Sequence, residues 1–507
     1  IWGDPDYTAD GFIDMNGHKL TLVSEANHLR HYASGILSHG GDLEIKNAAG
    51  IDIDIHGDKN AKSGIYVWGQ GRNGASLTIS NDNQAEHAVK IRNTAAEKDA
   101  AILVDGRSVK DGGSAKLVIK GLVDVENDDV SVIQANKGDV SIGGGKIIAK
   151  GDKASSLKIN NDGKIQINGN LSDRNVLTAG AVKHDVQIEG NVLAQKGRLG
   201  LVLNTDGSYI KGLIGTDAGT AGQTYMMLSD GASWYHEGKG ARTDGIKESK
   251  IKNLEADGGN IYQKNEKPIT IENYKGNMKL FYKHENAGTR AEDYKSGDVH
   301  IGSAAEGSRI TVVTDNSGIT MTDEAQVYEV LNALAGKLYY DAYKTGEEKL
   351  TGQATIAEGL TSSSKTLEMK DMLFKKENGQ GYVQGKPTPP PLVNPVRHQI
   401  VEANYFAEEA RDFWSKAGVY DGKGHYKFDH DLSLVTHAED DPVTTVNDNK
   451  FGNIYWNGDV VGDIDMTGHR LELKSITERL PKKNPNAITV YSGTLTIKNV
   501  NGMYIES

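Results

Sequence analysis

The chain has 507 residues, among them 60 Gly, 10 Pro and no Cys, and hydrophobic residues make up 37% of it. A formal net charge of −12 argues against a nucleic-acid surface, which needs a basic stripe to displace counterions, and it works against general attraction to anionic lipid. The absence of Cys excludes a disulfide-stapled fold and suits a chain exported unfolded, because a premature disulfide would lock a loop. No run approaches the roughly 20 apolar residues of a membrane helix. No basic then apolar leader opens the chain at Ile1, so any signal peptide is expected to have been removed.

From Leu20 to Leu213 short strands follow one another. Leu43 to Lys46, Ile51 to Ile55, Ser76 to Ile79, Lys116 to Ile119, Asp139 to Ile142, Leu157 to Ile159 and Lys164 to Ile167 each alternate apolar and polar residues. A period of two buries one face and wets the other. No helical periodicity lies between these strands, which excludes alternating βαβ units and leaves a sandwich, a propeller or a solenoid. A recurring phrase favours the solenoid. Leu43 to Asn47, Leu77 to Asn81, Val89 to Asn93 and Leu157 to Asn161 all read apolar, polar, apolar, polar, Asn. In stacked turns Asn tolerates left-handed backbone, and its amide is expected to pair with the Asn of the next coil. The Gly-rich stretch from Gly231 to Gly245 does not read as a coil and is expected to protrude as a loop.

From Asp323 to Tyr343 the pattern changes. Val327, Leu331, Leu334 and Leu338 recur with helical spacing, Asp323 is a plausible N-cap and Gly346 a plausible stop. A second helix is expected over about 395–416, with Ile400, Ala403, Phe406, Ala410 and Phe413 on one side. Between the helices lies the single Pro-rich tract, Lys386 to Pro391, which should be extended and mark a boundary.

A long-range echo is the most informative feature. Gly11 to Ser24 reads GFIDMNGHKLTLVS, and Gly462 to Ser475 reads GDIDMTGHRLELKS. Leu43 to Asn47 is echoed by Leu495 to Asn499, and Gly50 by Gly502. Self-similarity on this scale marks an extended stacked protein. The expected organisation is a β-helix unit over 1–322, a helix-containing spacer over 323–386, a Pro-rich linker over 387–395, and a helix plus the start of a second β-helix unit over 396–507. The fold class expected is all-β: a right-handed three-stranded parallel β-helix (solenoid), with a short helical spacer and the start of a second unit.

These residues resemble the passenger region of type V, monomeric autotransporters, and in particular large repetitive adhesins of the pertactin-like β-helix type. The GDIDMTGHRLEL opening at Gly462 resembles the first strands of such passengers, and Pro268 to Tyr282 looks like their late coils. Asn332 to Tyr340, followed by Ala357 to Ser364, is similar to a spacer of long adhesins of anaerobic Gram-negative bacteria. The resemblance covers most of the chain. It implies a secreted β-helix at the cell surface, exported through an outer-membrane translocator barrel that lies outside this sequence. It also implies adhesion in virulence, to a host extracellular-matrix protein, a surface glycan or other bacterial cells, with self-association of the chains left open.

Catalytic chemistry has weak support. The Gly-Asp-Ser-Gly context of the passenger serine proteases does not occur. Asn204 to Gly207, Asp128-Asp129 and Ser38-His39-Gly40 echo pieces of pectin-hydrolysing β-helices in the wrong order, and Asn204 to Gly207 reads more simply as a turn. No His-Glu-x-x-His spacing occurs among the 15 His, so no metal or other cofactor is expected. His18 and His469 recur between the units, each after Gly, and read as corner residues. Asp52, Asp54 and Asp58 lack the closing Glu of a calcium loop and read as a solvated face.

For binding, exposed aromatics are the best pointers, since they dominate interface energetics. Tyr66 and Trp68 share one side of a strand near Arg72. Trp234, Tyr235 and His236 sit in the expected loop. These six are the candidate ligand-binding residues. The expected function is a non-enzymatic adhesin that presents an elongated β-helix to its partner. The alternatives are a carbohydrate-active β-helix enzyme (polysaccharide hydrolase or lyase) and a passive stalk that spaces a distal binding domain.

Overall fold

A computed structural model describes residues 10–25, 34–57, 63–71, 74–81, 84–95, 98–109, 114–215, 222–238, 245–283, 296–315, 324–356, 370–383, 419–420, 425–427, 432–437, 454–476 and 488–506. The chain is all-β, built of many parallel strands with one α-helix among the described residues. It forms two compact units, 1–360 with 368–384, and 361–367 with 385–507.

In the first unit the strand alternation turns every second side chain inward, and inward residues line up across successive strands in three runs. One run holds Ile45, Ile79, Ile119, Ile142, Ile167 and Leu201. A second holds Ile53, Ile91, Val125, Ile147, Ile188, Ile210, Trp234, Ile261, Leu280 and Val312. A third holds Ile36, Ile65, Ile102, Ile133, Leu157, Val192 and Ile214. None of these side chains is more than 7% exposed. Each fully buried aliphatic side chain is worth about 1.5–3 kcal/mol relative to exposure, and such rows form the core of the unit.

The chain visits the runs in a fixed order. Ile36–His39 lies in the third, Gly41–Ala48 in the first, Ile51–His56 in the second, and Ile65–Gly71 returns to the third. Long strands bend from one run into the next. Ala115–Asn127 pairs first with Ala75–Asn81 and then with Val89–Asn93. Some corners need glycine: Gly145 has φ 107°, and a Cβ there would strike the Val123 carbonyl.

Asn serves the corners differently from the sequence expectation. Asn47 and Asn161 do adopt left-handed backbone, with φ 53° and 51°. Asn81 and Asn93 do not. The Asn81 amide donates to the carbonyls of His87 and Leu122, and the Asn47 amide donates to Asp14 Oδ1 at 3.0 Å. Amide-to-amide pairs form elsewhere, from Asn160 to Asn136 at 2.9 Å and from Asn273 to Asn253 at 3.0 Å. A bend exposes backbone carbonyls and N–H groups that need partners, so the nearest orphan group takes the amide. Asp52 and Asp54 lie on the outer side of the strand Ile51–His56, where the alternation puts them, beside Lys19 and His56; Asp58 lies outside the described residues.

The helix spans Glu324–Ala335 and does not reach Tyr343. Leu338, expected on its apolar side, instead enters the strand Leu338–Tyr340, which pairs in parallel with Val299–Ile301. Gly336 and Lys337 close the helix with N–H bonds to Asn332 and Leu334. Gly346, at φ 93°, ends the 3-10 turn Asp341–Thr345 instead. Residues read from sequence as part of a spacer thus continue the parallel pairings, since Leu350–Ile356 also pairs with Ser308–Asp315. Lys370–Phe374 and Gly381–Val383 then add as antiparallel strands. The N-cap Asp323, the second helix over about 395–416, the Pro-rich tract and Ala357 to Ser364 lie outside the described residues.

In the second unit His425–Lys427, Ile454–Asp465 and Ile488–Lys498 pair in parallel, as do Leu432–His437, Leu471–Ile476 and Met503–Glu506. The sequence echo is a structural one. Asp14 and Asp465 each accept the N–H two residues on at 2.9 Å. Asn16 and Thr467 have φ 48° and 47°, and Asn47 and Asn499 have φ 53° and 54°. His18 and His469 each donate a backbone N–H to the preceding Met carbonyl at 2.8 Å.

Candidate binding face

The strand Ile65–Gly71 places Tyr66 and Trp68 on one side, because side chains two apart share a face. Their rings are parallel, 6.2 Å apart with 2° between planes. Tyr66 is only 7% exposed and packs with Ala100, Leu103 and Leu37. The Trp68 ring lies 4.5 Å from His39, whose Nε2 is 2.7 Å from Gln70 Oε1. Asp105, opposite Trp68 in the next strand, is held by Arg107 through Nε at 2.9 Å and Nη2 at 2.6 Å. This outward cluster is mostly packed away. Arg72 lies outside the described residues.

The stretch from Gly231 is not a protruding loop at its start. Asp230 and Gly231, with φ 52° and 83°, make a turn that feeds the strand Ser233–His236. Parallel pairing on both sides puts Trp234 between Ile210 and Ile261. Trp234 and His236 therefore point inward and are 0% exposed, so neither offers a contact surface. Trp234 Nε1 donates to the Gly212 carbonyl at 2.9 Å, which satisfies its one polar atom. His236 Nδ1 lies 2.5 Å from Gln263 Oε1 and Nε2 lies 2.8 Å from Ser249 Oγ. Gln263 Nε2 donates to the Lys267 and Gly297 carbonyls, which fixes Oε1 toward His236. The imidazole then donates from Nδ1 and accepts from Ser249. Burial of this neutral ring, only partly opposed by the bond to Gln263, lowers its pKa to about 4.

Tyr235, between these two inward residues, faces out, and the register places it in a row that the sequence reading missed. Lys211, Tyr235, Tyr262, Phe281 and Val313 lie opposite one another in five successive strands. Tyr235 and Tyr262 stack at 4.7 Å and 17°, and Tyr262 and Phe281 at 4.5 Å and 10°. Tyr209, two residues before Lys211, meets the edge of Tyr235 at 6.4 Å. Lys264 Nζ sits 5.1 Å from the Tyr235 ring centre and 5.5 Å from that of Tyr262. Lys211 lies 4.6 Å over Tyr209, and Glu189 receives bonds from both. Burial first, and then the bond to Glu189, push the Tyr209 hydroxyl above its ordinary range. A sequence signal existed: each strand places an apolar residue just before the row, in the pairs Ile210-Lys211, Trp234-Tyr235, Ile261-Tyr262, Leu280-Phe281 and Val312-Val313.

The geometry limits what this row can bind. Tyr262 has a ring on each face, so its edge and hydroxyl, not its face, remain for a partner. The free ring face that sugar stacking needs is therefore not available on Tyr262. The rings of Tyr235, Tyr262 and Phe281 are half-buried, and the ammonium group of Lys264 flanks the first two.

The residues weighed for hydrolysis make contacts within the fold. Asp206 and Gly207 form a turn closed by Ser208 N–H donating to the Thr205 carbonyl at 3.1 Å, and Thr205 Oγ1 donates to Asp185 at 2.6 Å. Asp128 and Asp129 lie 3.4 and 3.8 Å from Lys98 Nζ. Among the described residues no group of three or more His, Asp or Glu is placed to hold a metal ion, and no helix is long and apolar enough to cross a membrane. Comparison of the chain with family models, with curated proteins and with solved structures found no match.

Proposed function

We propose that this chain is a right-handed three-stranded parallel β-helix from the surface-exported passenger of an autotransporter, and that it works as an adhesin for a protein partner. The fold reading rests on the three runs of inward residues visited in fixed order, since each circuit of strands is too small to bury itself and shares a core with its neighbours. The observation that carries the function is the outward row Tyr235, Tyr262 and Phe281 with Lys211 and Lys264 beside it. Aromatic residues with adjacent cations dominate contact energies at protein interfaces. An extracellular-matrix protein on the host is the partner class we favour. Surface glycans and other bacterial cells are the remaining classes, and weak single sites would gain strength from repeated units. Export through an outer-membrane barrel and display at the cell surface belong to the same reading.

The test is a solid-phase assay of the folded full chain against a panel of matrix proteins and glycans. Saturable binding to a matrix protein, reduced at least tenfold by Tyr262→Ser with the circular dichroism spectrum unchanged, supports the reading. Silence across the panel with the chain folded overturns it in favour of a passive spacer.

A further inference from the structure

The segment Ile246 to Glu248 lies as a strap against the outer side of the strand Ile214–Gly215, in the third run. A Cβ on Gly215 would meet Ile246 Cγ2 at 2.7 Å and the Glu248 carbonyl at 2.6 Å, so the two backbones leave no space between them. Ile246 packs there with Leu193 and Leu213, and all three are 0% exposed. Leu193 points outward, because Val192 beside it belongs to the inward run. Its burial is therefore the work of what lies over the outer side, Ile246 included.

Ser249, the first residue of the strand Ser249–Gln263, fastens this strap. Its Oγ accepts the Ile214 N–H at 3.0 Å and donates to His236 Nε2 at 2.8 Å. His236 Nδ1 donates in turn to Gln263 Oε1. Lys267 Nζ donates to the Ile246 carbonyl. A neutral imidazole has one donor and one acceptor, and here both are matched.

A second proton on the ring would place an N–H at Nε2 against the Ser249 hydroxyl. That oxygen already holds the Ile214 N–H, and its own proton would have to turn away from the acceptor it has. No carboxylate acts on the ring to offset the new charge. The charged group that does is Lys267, a cation in the segment between Gln263 and Ile269. Gln263, Ser249 and Trp234 carry no charge, and burial keeps the phenol of Tyr282, opposite Gln263, neutral. A protonated His236 is therefore stabilised by reaching water, which requires Ser249 to move.

The geometry points to an acid-operated clasp, in which protonation of His236 releases Ser249 and lifts Ile246 off Leu193 and Leu213. The ring titrates at about 4 when the clasp is closed and at about 6.5 once it is open to water. The clasp is thus closed above that window and opens as pH falls through it, and the open fraction rises about 30-fold between pH 7.5 and pH 5. This device is independent of the aromatic row and of the adhesive reading.

The test is hydrogen exchange of the full chain at pH 7.5 and pH 5, corrected for intrinsic rates. Protection over 214–215 and 249–251 should fall at least tenfold in acid, while the remote strand Ala115–Asn127 keeps its own. His236→Asn should abolish the local fall. No fall at 249–251, an equal fall in Ala115–Asn127, or the same local fall in the variant would overturn the proposal. A second measurement needs no variant: the titration of the His236 C2 proton in the wild type. Its midpoint should coincide with that of the local opening, and a ring that titrates without any change in protection would overturn the clasp.

Discussion

Tyr235 and Tyr262 lie ring on ring, with centroids 4.7 Å apart and planes 17° from parallel, because the register sets them directly opposite on the outer side of adjacent strands. Phe281 extends the stack on the far side of Tyr262. Each such aromatic pair contributes about 0.5–1.5 kcal/mol beyond its buried area. Tyr262→Ala removes two pairs and Phe281→Ala one, so the first should lower stability more in urea unfolding. Equal losses would show that the rings are adjacent without being coupled.

Trp234 fills an inward position between Ile210 and Ile261 and donates from Nε1 to Gly212. Trp234→Ala should cost about 3–5 kcal/mol through the cavity left behind. Trp234→Phe should cost less but still leave the Gly212 carbonyl without this donor. Denaturant midpoints of the two variants check the ranking.

His236 sets a pH dependence. Its folded pKa is about 4, against about 6.5 in an unfolded chain. Between those values the unfolded chain binds a proton that the folded chain refuses, so stability falls as pH drops from about 6.5 to about 4 and is complete above that window. The loss is on the order of 3 kcal/mol from this group. Urea unfolding at pH 7.5 and pH 4.5 should show a larger drop for the wild type than for His236→Asn. The same drop in both would remove His236 as the cause.

Gly276 has φ 101°, and a Cβ there would strike the carbonyl of Ala256, its partner in the neighbouring strand. Neither backbone can retreat without breaking that pairing. Gly276→Ala should therefore destabilise by more than about 1 kcal/mol, whereas Gly307→Ala, which has a similar φ of 75° but open space around it, should cost less. Thermal midpoints of the two variants decide.

Glu272 sits between Lys250, at 3.2 Å, and Lys252. The bond from Lys252 is the largest cause that holds its carboxyl below the ordinary range. Its contribution is present above the unfolded carboxylate pKa and is lost as pH falls through the lower folded value. These groups are partly exposed and screened, so Glu272→Gln should cost less than about 1 kcal/mol, and less again at high salt. A cost that does not shrink in 1 M salt would point to packing rather than charge.

Strand positions, the period-two alternation and the repeated opening motif were legible in the sequence, because each is carried by neighbouring residues. The strands containing Leu43 to Lys46 and Lys164 to Ile167 lie where alternation puts them, and the Gly11 and Gly462 motifs share their turns. What a strand alone leaves open is which of its two faces turns inward, and against what. Trp234 and His236 read as surface residues in a Gly-rich stretch, yet pairing with Ile210 and Gln263 carries both into the core. The row of Tyr235, Tyr262 and Phe281 left only a local trace, an apolar residue just before each member; that the three meet is decided by register. Local alternation is a property of the chain; the choice of neighbour belongs to the stacked whole, where hydrogen-bond register and shared burial are settled together.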